Sequence, residues 1–296
     1  MKKIVIEPYD KNWVTQFNSK AKQIKDLLGN NAMRIEHIGS TSIPNLDAKK
    51  NIDMLLVINK LQKSLLLQKL GYIFKGEINI PLRYFFSKNS GGTKVNLHVC
   101  ENDHGFIPLN LAFRDWLRTN DHDKNEYQKL KHRILQDENS HKKILGNLPN
   151  YTLSKNKFIK EILSKTDFNE LIVNFCTHEK EIEYANNLLL ATNTKIDISL
   201  REQKNFVLYK GSLIIGYCQV ELGINQTANL DKFIIDQYHH KNKYEKFFIT
   251  FISKWLKFHG YQILTIDLNS ENIEFYTKLG FEEMTNVNQT KLGKLT

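Results

Sequence analysis

Apolar residues recur at helical spacing from Trp13 through Phe17, Ala21 and Ile24 to Leu28, and Gly29-Asn30-Asn31 closes the run. That spacing predicts one amphipathic helix. Strand-length apolar runs follow at 34–38, 52–58, 83–87 and 94–100, with a helix predicted over 61–70. Further helices are predicted over 109–118 and 126–136, and Asp123, three residues before Glu126, reads as the start of a capping box. Phe158, Ile159, Ile162 and Leu163 share one face of a segment that Ser154 can cap. The first half therefore reads as an α/β pattern closed by helices.

A polar junction at Lys165-Thr166-Asp167 marks a change of pattern, and all five prolines precede it. Beyond it, residues 205–209 and 212–221 predict a hairpin around Lys210-Gly211, and 227–235 a third strand. The run Phe247, Phe248, Phe251, Ile252, Trp255 and Leu256 predicts a helix over 245–259, ended by Gly260. A strand over 262–268 and a short helix from a Ser270 cap to Leu279 complete the pattern, closed by Gly280. The expected organisation is two domains, 1–165 and 166–296, each a mixed α/β (α+β) fold.

At 296 residues the chain is long enough for two ordinary cores. No apolar run approaches the roughly 18 residues of a membrane helix, and the start, Met1 to Pro8, shows no signal-peptide core. A cytoplasmic location without membrane attachment is the expectation. Cys100, Cys176 and Cys218 lie far apart and read as buried small hydrophobes. Net charge is +10, which favours anionic partners. Lysine supplies 36 of the 42 basic residues, and the excess is confined to 1–165, at +12, against −2 beyond. No helix-turn-helix signature, zinc finger or aromatic RNA platform supports a nucleic-acid module. No residue cluster has metal-ligand spacing, and the adjacent pair His239-His240 faces apart, so no metal site is expected.

The stretch Leu268-Asn269-Ser270-Glu271-Asn272-Ile273-Glu274-Phe275-Tyr276-Thr277-Lys278-Leu279-Gly280-Phe281-Glu282 resembles the closing motif of the GNAT acetyltransferase superfamily. The resemblance extends back to Phe206 and covers roughly 168–290. It implies acetyl-CoA as cofactor, held by the strand backbone at Phe233, Ile234 and Ile235, by the turn His240, Lys241, Asn242, Lys243, Tyr244 and Glu245, and by Asn269. A loop that becomes a helix N-terminus aims backbone N–H groups at an anion, whatever the family. The superfamily's Gln/Arg-x-x-Gly-x-Gly/Ala appears here as His239, Asn242 and Tyr244 at the marked places. Asn242 tolerates a positive φ, whereas the bulk of Tyr244 stands where backbone should approach phosphate. Tyr276 matches the superfamily's usual acid and equally reads as one of the helix's packing aromatics. Glu221 and Asp231, on strands expected to line the cleft, are the candidate bases. The acceptor would be an amine on a small molecule or a protein.

His37-Ile38-Gly39-Ser40-Thr41-Ser42-Ile43-Pro44, with Lys49 and Ile52-Asp53-Met54-Leu55, resembles the GrpB family, whose fold is similar to nucleotidyltransferases. Leu97-His98-Val99, Phe113-Arg114-Asp115-Trp116-Leu117-Arg118 and Tyr151 to Leu163 extend the match across 1–165. Paired carboxylates two apart on one strand would hold the two Mg²⁺ of nucleotidyl transfer, but Leu55 occupies the partner position to Asp53. Glu101 or Asp103 would have to substitute. The ligand residues expected are Gly39, Ser40, Thr41, Lys49, Asp53, His98 and Arg114, for a phosphorylated or nucleotide-like ligand. The favoured activity is acetyl transfer from acetyl-CoA to an amine. Nucleotide or phosphate-ester chemistry in the first domain and a non-catalytic CoA or nucleotide sensor stand as alternatives.

Overall fold

The computed structural model describes residues 4–144, 148–189, 202–239, 242–267, 273–286 and 289–296. The chain divides into two compact units, Met1–Ile172 and Val173–Thr296. Among the described residues no helix is long and apolar enough to cross a membrane.

The first unit opens with α1 (Asn12–Leu28), which buries Trp13, Ile24 and Leu28, as the spacing of those residues requires. Five strands follow: β1 (Ala32–Ile38), β2 (Asn51–Ile58), β3 (Ile73–Phe74), β4 (Arg83–Ser90) and β5 (Thr93–Glu101). They form one sheet in the order β1-β2-β5-β4-β3, with β2 and β5 parallel and every other neighbour antiparallel. Beside the central strand β5 runs β2, in which every residue from Met54 to Ile58 is fully buried. Its continuous apolar run is what covering both faces of a strand demands. One face, bearing Ile38, Leu55, Val57 and Cys100, packs against Phe106 and Ile107 of α2 (Phe106–Thr119). Next come α3 (Asp121–Gln136), the short ribbon strands β6 (Lys143–Ile144) and β7 (Leu148–Pro149), α4 (Asn150–Leu153) and α5 (Asn156–Lys165). A second cluster joins Ile43 and Leu46 to Leu117, Tyr127 and Ile162 of α2, α3 and α5.

Three local expectations are corrected. Residues Leu61–Leu70 form a 3₁₀ helix rather than an α-helix, closed by Gly71 in the left-handed conformation. Asp123 does not cap: α3 starts at Asp121 after Asn120, and the Asp123 carboxylate accepts from Trp116 Nε1 at 2.7 Å and Lys165 Nζ at 2.7 Å. Ser154 does not cap α5 either; its hydroxyl donates to the Asn150 carbonyl at 3.0 Å, closing α4.

The second unit's sheet comprises β8 (Leu171–Phe175), β9 (Gln203–Lys210), β10 (Leu213–Leu222), β11 (Thr227–Ile235), β12 (Ile263–Asp267), β13 (Glu282–Asn286) and β14 (Gln289–Leu295). Its order is β13-β14-β12-β11-β10-β9-β8. Three helices accompany it: α6 (Glu179–Leu189), α7 (Asn242–Phe258) and α8 (Ile273–Lys278). Residues alternate between the two faces of the strands. Phe206 meets Trp255 of α7 (centroids 5.2 Å apart) and Phe233 meets Phe248 of α7 (5.6 Å) on one face. On the other, Val207 and Tyr217 cluster with Ala185 and Leu189 of α6. The hairpin, the third strand and the long helix lie where the apolar pattern puts them, although α7 begins at Asn242 instead of Glu245. The expected Ser270 cap lies outside the described residues.

Candidate functional site

In the first unit, β1 ends at Ile38 opposite Asp53 of β2, and the chain turns at Gly39 into a single 3₁₀ turn, Ser40–Ser42. Gly39 has φ 69° and ψ −176°, a conformation reserved for glycine. A Cβ there would also lie 2.6 Å from Asp53 Oδ2. The turn is braced from within. His37 Nε2 pairs with Thr41 Oγ1 at 3.1 Å, Thr41 Oγ1 donates to Asn51 O at 2.9 Å, and Ser42 Oγ donates to Gly39 O at 2.6 Å. Arg118 donates to Ser42 O (2.8 Å), while Arg114 donates to His37 O (3.1 Å) and pairs with Glu36 and Asp115. Thr41 and Arg114 thus serve the turn's internal structure. Arg114 faces a separate recess of about 290 Å³ shared with Tyr9, Phe17, His37 and Arg118.

Asp53 is half-buried and accepts from Asn96 Nδ2 at 2.7 Å. Burial pushes its carboxyl upward, opposed by the Asn96 bond and the charges of Lys155, Lys94 and Lys49. Lys49 Nζ lies 4.0 Å and Lys155 Nζ 4.7 Å from the centre of the buried Tyr151 ring. Gly39, Ser40, Lys49 and Asp53, expected together, are gathered here, and Lys94, Asn96, Tyr151 and Lys155 join them. Tyr151 and Lys155 belong to the matching tail but carried no assigned role, and α4 and the start of α5 bring them in; Lys94 and Asn96 had no motif to announce them and come in by strand pairing. His98 stands apart, one step along β5, half-buried with its ring near Phe85 (5.1 Å) and Phe106 (5.2 Å). Burial and the nearby Arg83 hold its pKa well below the ordinary value. Glu101 pairs with Ile58, five residues along β5 from Asn96 and about 16 Å by strand rise, and it cannot complete a metal pair with Asp53.

In the second unit, the decisive geometry is a divergence. Strands β11 and β12 run parallel and pair only at Thr227↔Ile263, Ala228↔Leu264 and Asn229↔Thr265. Past Asn229, β11 continues along β10 with a bulge at Asp231, between the pairs Leu230↔Val220 and Lys232↔Gln219. Among the described residues Leu230 to Ile235 consequently present one backbone edge with no ladder partner, while β12 pairs along its other edge with β14 from Ile263 to Asp267. Phe233 lies on the α7 side against Phe248 and Phe275, and Ile235 is buried against Gly216, where a Cβ would meet it at 2.5 Å.

On α8, Tyr276 sits edge-on to Phe281 (5.6 Å) and Phe275 (5.0 Å). It is half-buried, and burial, then Cys218, pushes its phenol up to about 12. The neighbouring Phe275 of α8 lies 6.4 Å from Phe233, which sets α8 against the unpaired part of β11. Asp231 is the exposed bulge residue, bonded to Lys232 at 2.6 Å. Glu221 is exposed and accepts from Gln203 at 3.0 Å, on the face of Tyr217 and Gln219. Asn242 opens α7 and Lys243 is exposed. Tyr244 is 5% exposed, turned inward with the Lys243 and Lys210 ammoniums 5.0 and 5.5 Å from its ring centre. Its bulk is therefore not spread over the helix start. Glu245 is buried in the first turn. His240, Lys241 and Asn269 lie outside the described residues.

The first unit is thus a mixed five-stranded α/β domain built around a Gly-Ser turn and one half-buried aspartate, and its sequence matches the family model described as GrpB protein over residues 3–165. A UPF0157 protein of Halalkalibacterium halodurans is 34% identical over 169 residues, covering 55% of this chain and 83% of that protein. This chain belongs to the GrpB family. The conserved protein GrpB from Enterococcus faecalis is similar in structure at 33% identity and TM-score 0.49, over 55% of this chain and 96% of that one. A putative N-acetyltransferase from Lactobacillus plantarum is similar at 13% identity and TM-score 0.37, over 43% of this chain and 99% of that one.

Proposed function

We propose that the second unit is an acyltransferase that uses acetyl-CoA to acetylate an amine on a small molecule or protein. One observation carries the reading: β11 and β12 part after three residue pairs, leaving the edge of Leu230 to Ile235 open among the described residues, with α8 against it through Phe275 and Phe233. Backbone donors and acceptors on an open strand edge demand partners. An extended chain carrying amides, as a pantetheine arm does, satisfies them like an added strand. Phe233, Ile234 and Ile235 would hold that arm, and Asn242, Lys243, Tyr244 and Glu245 at the start of α7, with His240 and Lys241 before them, would take the pyrophosphate. Asn269 enters by resemblance alone.

Acetyl-CoA supplies a thioester whose carbon forms a bond to the amine nitrogen as its bond to sulfur breaks. Among the chain's own groups, Tyr276 keeps its phenol proton throughout the neutral range. Passing that proton fully to a thiolate of pKa ~8.5 runs uphill by roughly 3.5 units, about 5 kcal/mol. In this geometry Tyr276 therefore contributes a hydrogen bond toward the departing sulfur. Asp231, exposed at the bulge, is the candidate acceptor of the amine proton nearest the open edge, with Glu221 farther along β10.

Calorimetric titration with acetyl-CoA tests the reading. Saturable binding is expected in the unmutated protein, weakened at least 10-fold by Asn242→Glu, which sets a carboxylate at the helix start. No binding at millimolar acetyl-CoA contradicts it.

A further inference from the structure

Beyond acyl transfer, the lysines around Asp53 in the first unit call for an explanation. Lys49, Lys94 and Lys155 all act electrostatically on this one carboxyl. Among the described residues none of the three has an ion pair within 4.0 Å or a side-chain hydrogen bond. Most other cations near a carboxylate in this unit do: Arg114, Arg118, Lys124, Lys129 and Lys165 each bond one.

The cluster is also held in place. Lys49 and Lys155 rest on a single Tyr151 ring that is 2% exposed, and Lys94 is set by its pairing with Asn51 at the start of β5. Asp53 is fixed by Asn96 and by the Gly39 backbone against it. Three ammoniums, half-buried at Lys49 and Lys155 and exposed at Lys94, face one carboxylate and leave two positive charges uncompensated. The two half-buried ammoniums, held over one ring, repel each other and raise the energy of the fold unless an anion joins them. Burial, then Lys155, lowers Lys49 to about 8, with Asp53 opposing and Lys94 reinforcing.

We propose that Lys49, Lys94 and Lys155, beside the Gly39–Ser40 turn, form a metal-independent site for a phosphate dianion borne by a phosphomonoester. The charge matches, since a dianion offsets the two uncompensated ammoniums. A lysine head also suits it as a compact point charge with three donors. The Ser40 hydroxyl, which has no partner among the described residues, is available as a further donor. No second carboxylate lies across from Asp53 to make the site a metal pair, because Leu55 and Asn96 occupy the adjoining positions.

The test is calorimetric titration of the full chain with inorganic phosphate, AMP and adenosine, each with EDTA and again with Mg²⁺. AMP is expected to bind in EDTA, inorganic phosphate more weakly, and adenosine not at all. Lys49→Met and Lys155→Met should each weaken AMP at least 10-fold, while Lys22→Met on the exposed face of α1 leaves it unchanged. Thermal unfolding of each variant without ligand serves as the folding control, and Lys94→Gln, at an exposed side chain, provides a variant that must fold. Phosphate bound as tightly as AMP would mean a site for the free ion and overturn the phosphomonoester assignment. Binding that requires Mg²⁺, binding unmoved by all three lysine variants, or no binding at 10 mM AMP would overturn the site itself. Because the variants lie in the first unit, retained acetyl-CoA binding alongside any of these failures leaves the acyltransferase reading standing.

Discussion

Replacing Gly39 with alanine tests how the Gly-Ser turn is built. At φ 69° and ψ −176° a residue with a Cβ carries strain of roughly 1–3 kcal/mol. Its methyl carbon would lie 2.6 Å from Asp53 Oδ2, 3.0 Å from Asp53 Cβ and 3.1 Å from Asp53 Cγ. The carboxylate must move, which breaks its 2.7 Å bond from Asn96, a charged hydrogen bond worth about 1.5–3 kcal/mol. The expected loss is about 3–5 kcal/mol in the first unit. Because two units need not unfold together, the readout is urea unfolding by tryptophan fluorescence in a Trp255→Phe background, where only Trp13 and Trp116 remain. In an Asp53→Ala background the contacts with Oδ2 and Cγ vanish, while the backbone strain and the 3.0 Å contact with the remaining Cβ stay, so the same substitution should cost less, about 1–3 kcal/mol. An equal loss in both backgrounds, or a loss below about 1 kcal/mol, refutes the packing of Gly39 on Asp53.

Three further outcomes follow from particular groups. His37 is 6% exposed, and burial, then Arg118 and Arg114, lowers its pKa from 6.5 to about 4. Between those values the unfolded chain binds the extra proton, so stability is full above pH 6.5 and falls by up to about 3 kcal/mol as pH drops to 4; His37→Gln should flatten urea midpoints over that window, and an unchanged slope would assign it to other groups. Tyr276→Phe is expected to lower acetyl transfer at least 10-fold with acetyl-CoA affinity within about 2-fold, by steady-state kinetics and calorimetry; unchanged turnover would leave Tyr276 a packing residue. Leu56→Ala, at a fully buried centre of β2, should destabilise the first unit by about 2–5 kcal/mol, and a loss under about 1 kcal/mol would mean β2 is not the core strand.

Much of this was legible because it is local. The Trp13–Ile24–Leu28 stripe, the apolar run of β2 and the aromatic face of α7 each specify their own element and its buried side. Gly39 and Asp53 were legible as a motif, but their contact depends on β1 ending opposite Asp53. Where pairing is distant the chain was silent. The strands β13 and β14 carry mostly polar residues such as Glu282, Glu283, Gln289 and Lys291, so they show no alternation; β14 is held by pairing with β12. Residues Leu61–Leu70 hold apolar residues in a pattern an α-helix would accept, and the tighter 3₁₀ winding is set by packing of Leu61, Ser64 and Leu67 at every third position. Asp123 and Ser154 resembled caps, yet Trp116, Lys165 and the Asn150 carbonyl outcompeted the helix ends. Tyr244 looked obstructive in one dimension, and the inward turn of its ring removes the obstruction. The parting of β11 and β12, which carries the functional reading, has no local signature beyond Asp231 in a strand.

Hydrogen–deuterium exchange across β11, with and without saturating acetyl-CoA, tests that reading most directly. If the open edge binds the cofactor, alternate amides within Leu230 to Ile235 and those of the first turn of α7 slow on binding, while Thr227 to Asn229, already paired with β12, do not change. Unaltered exchange from Leu230 to Ile235 at saturation, or protection confined to the first unit, would contradict it.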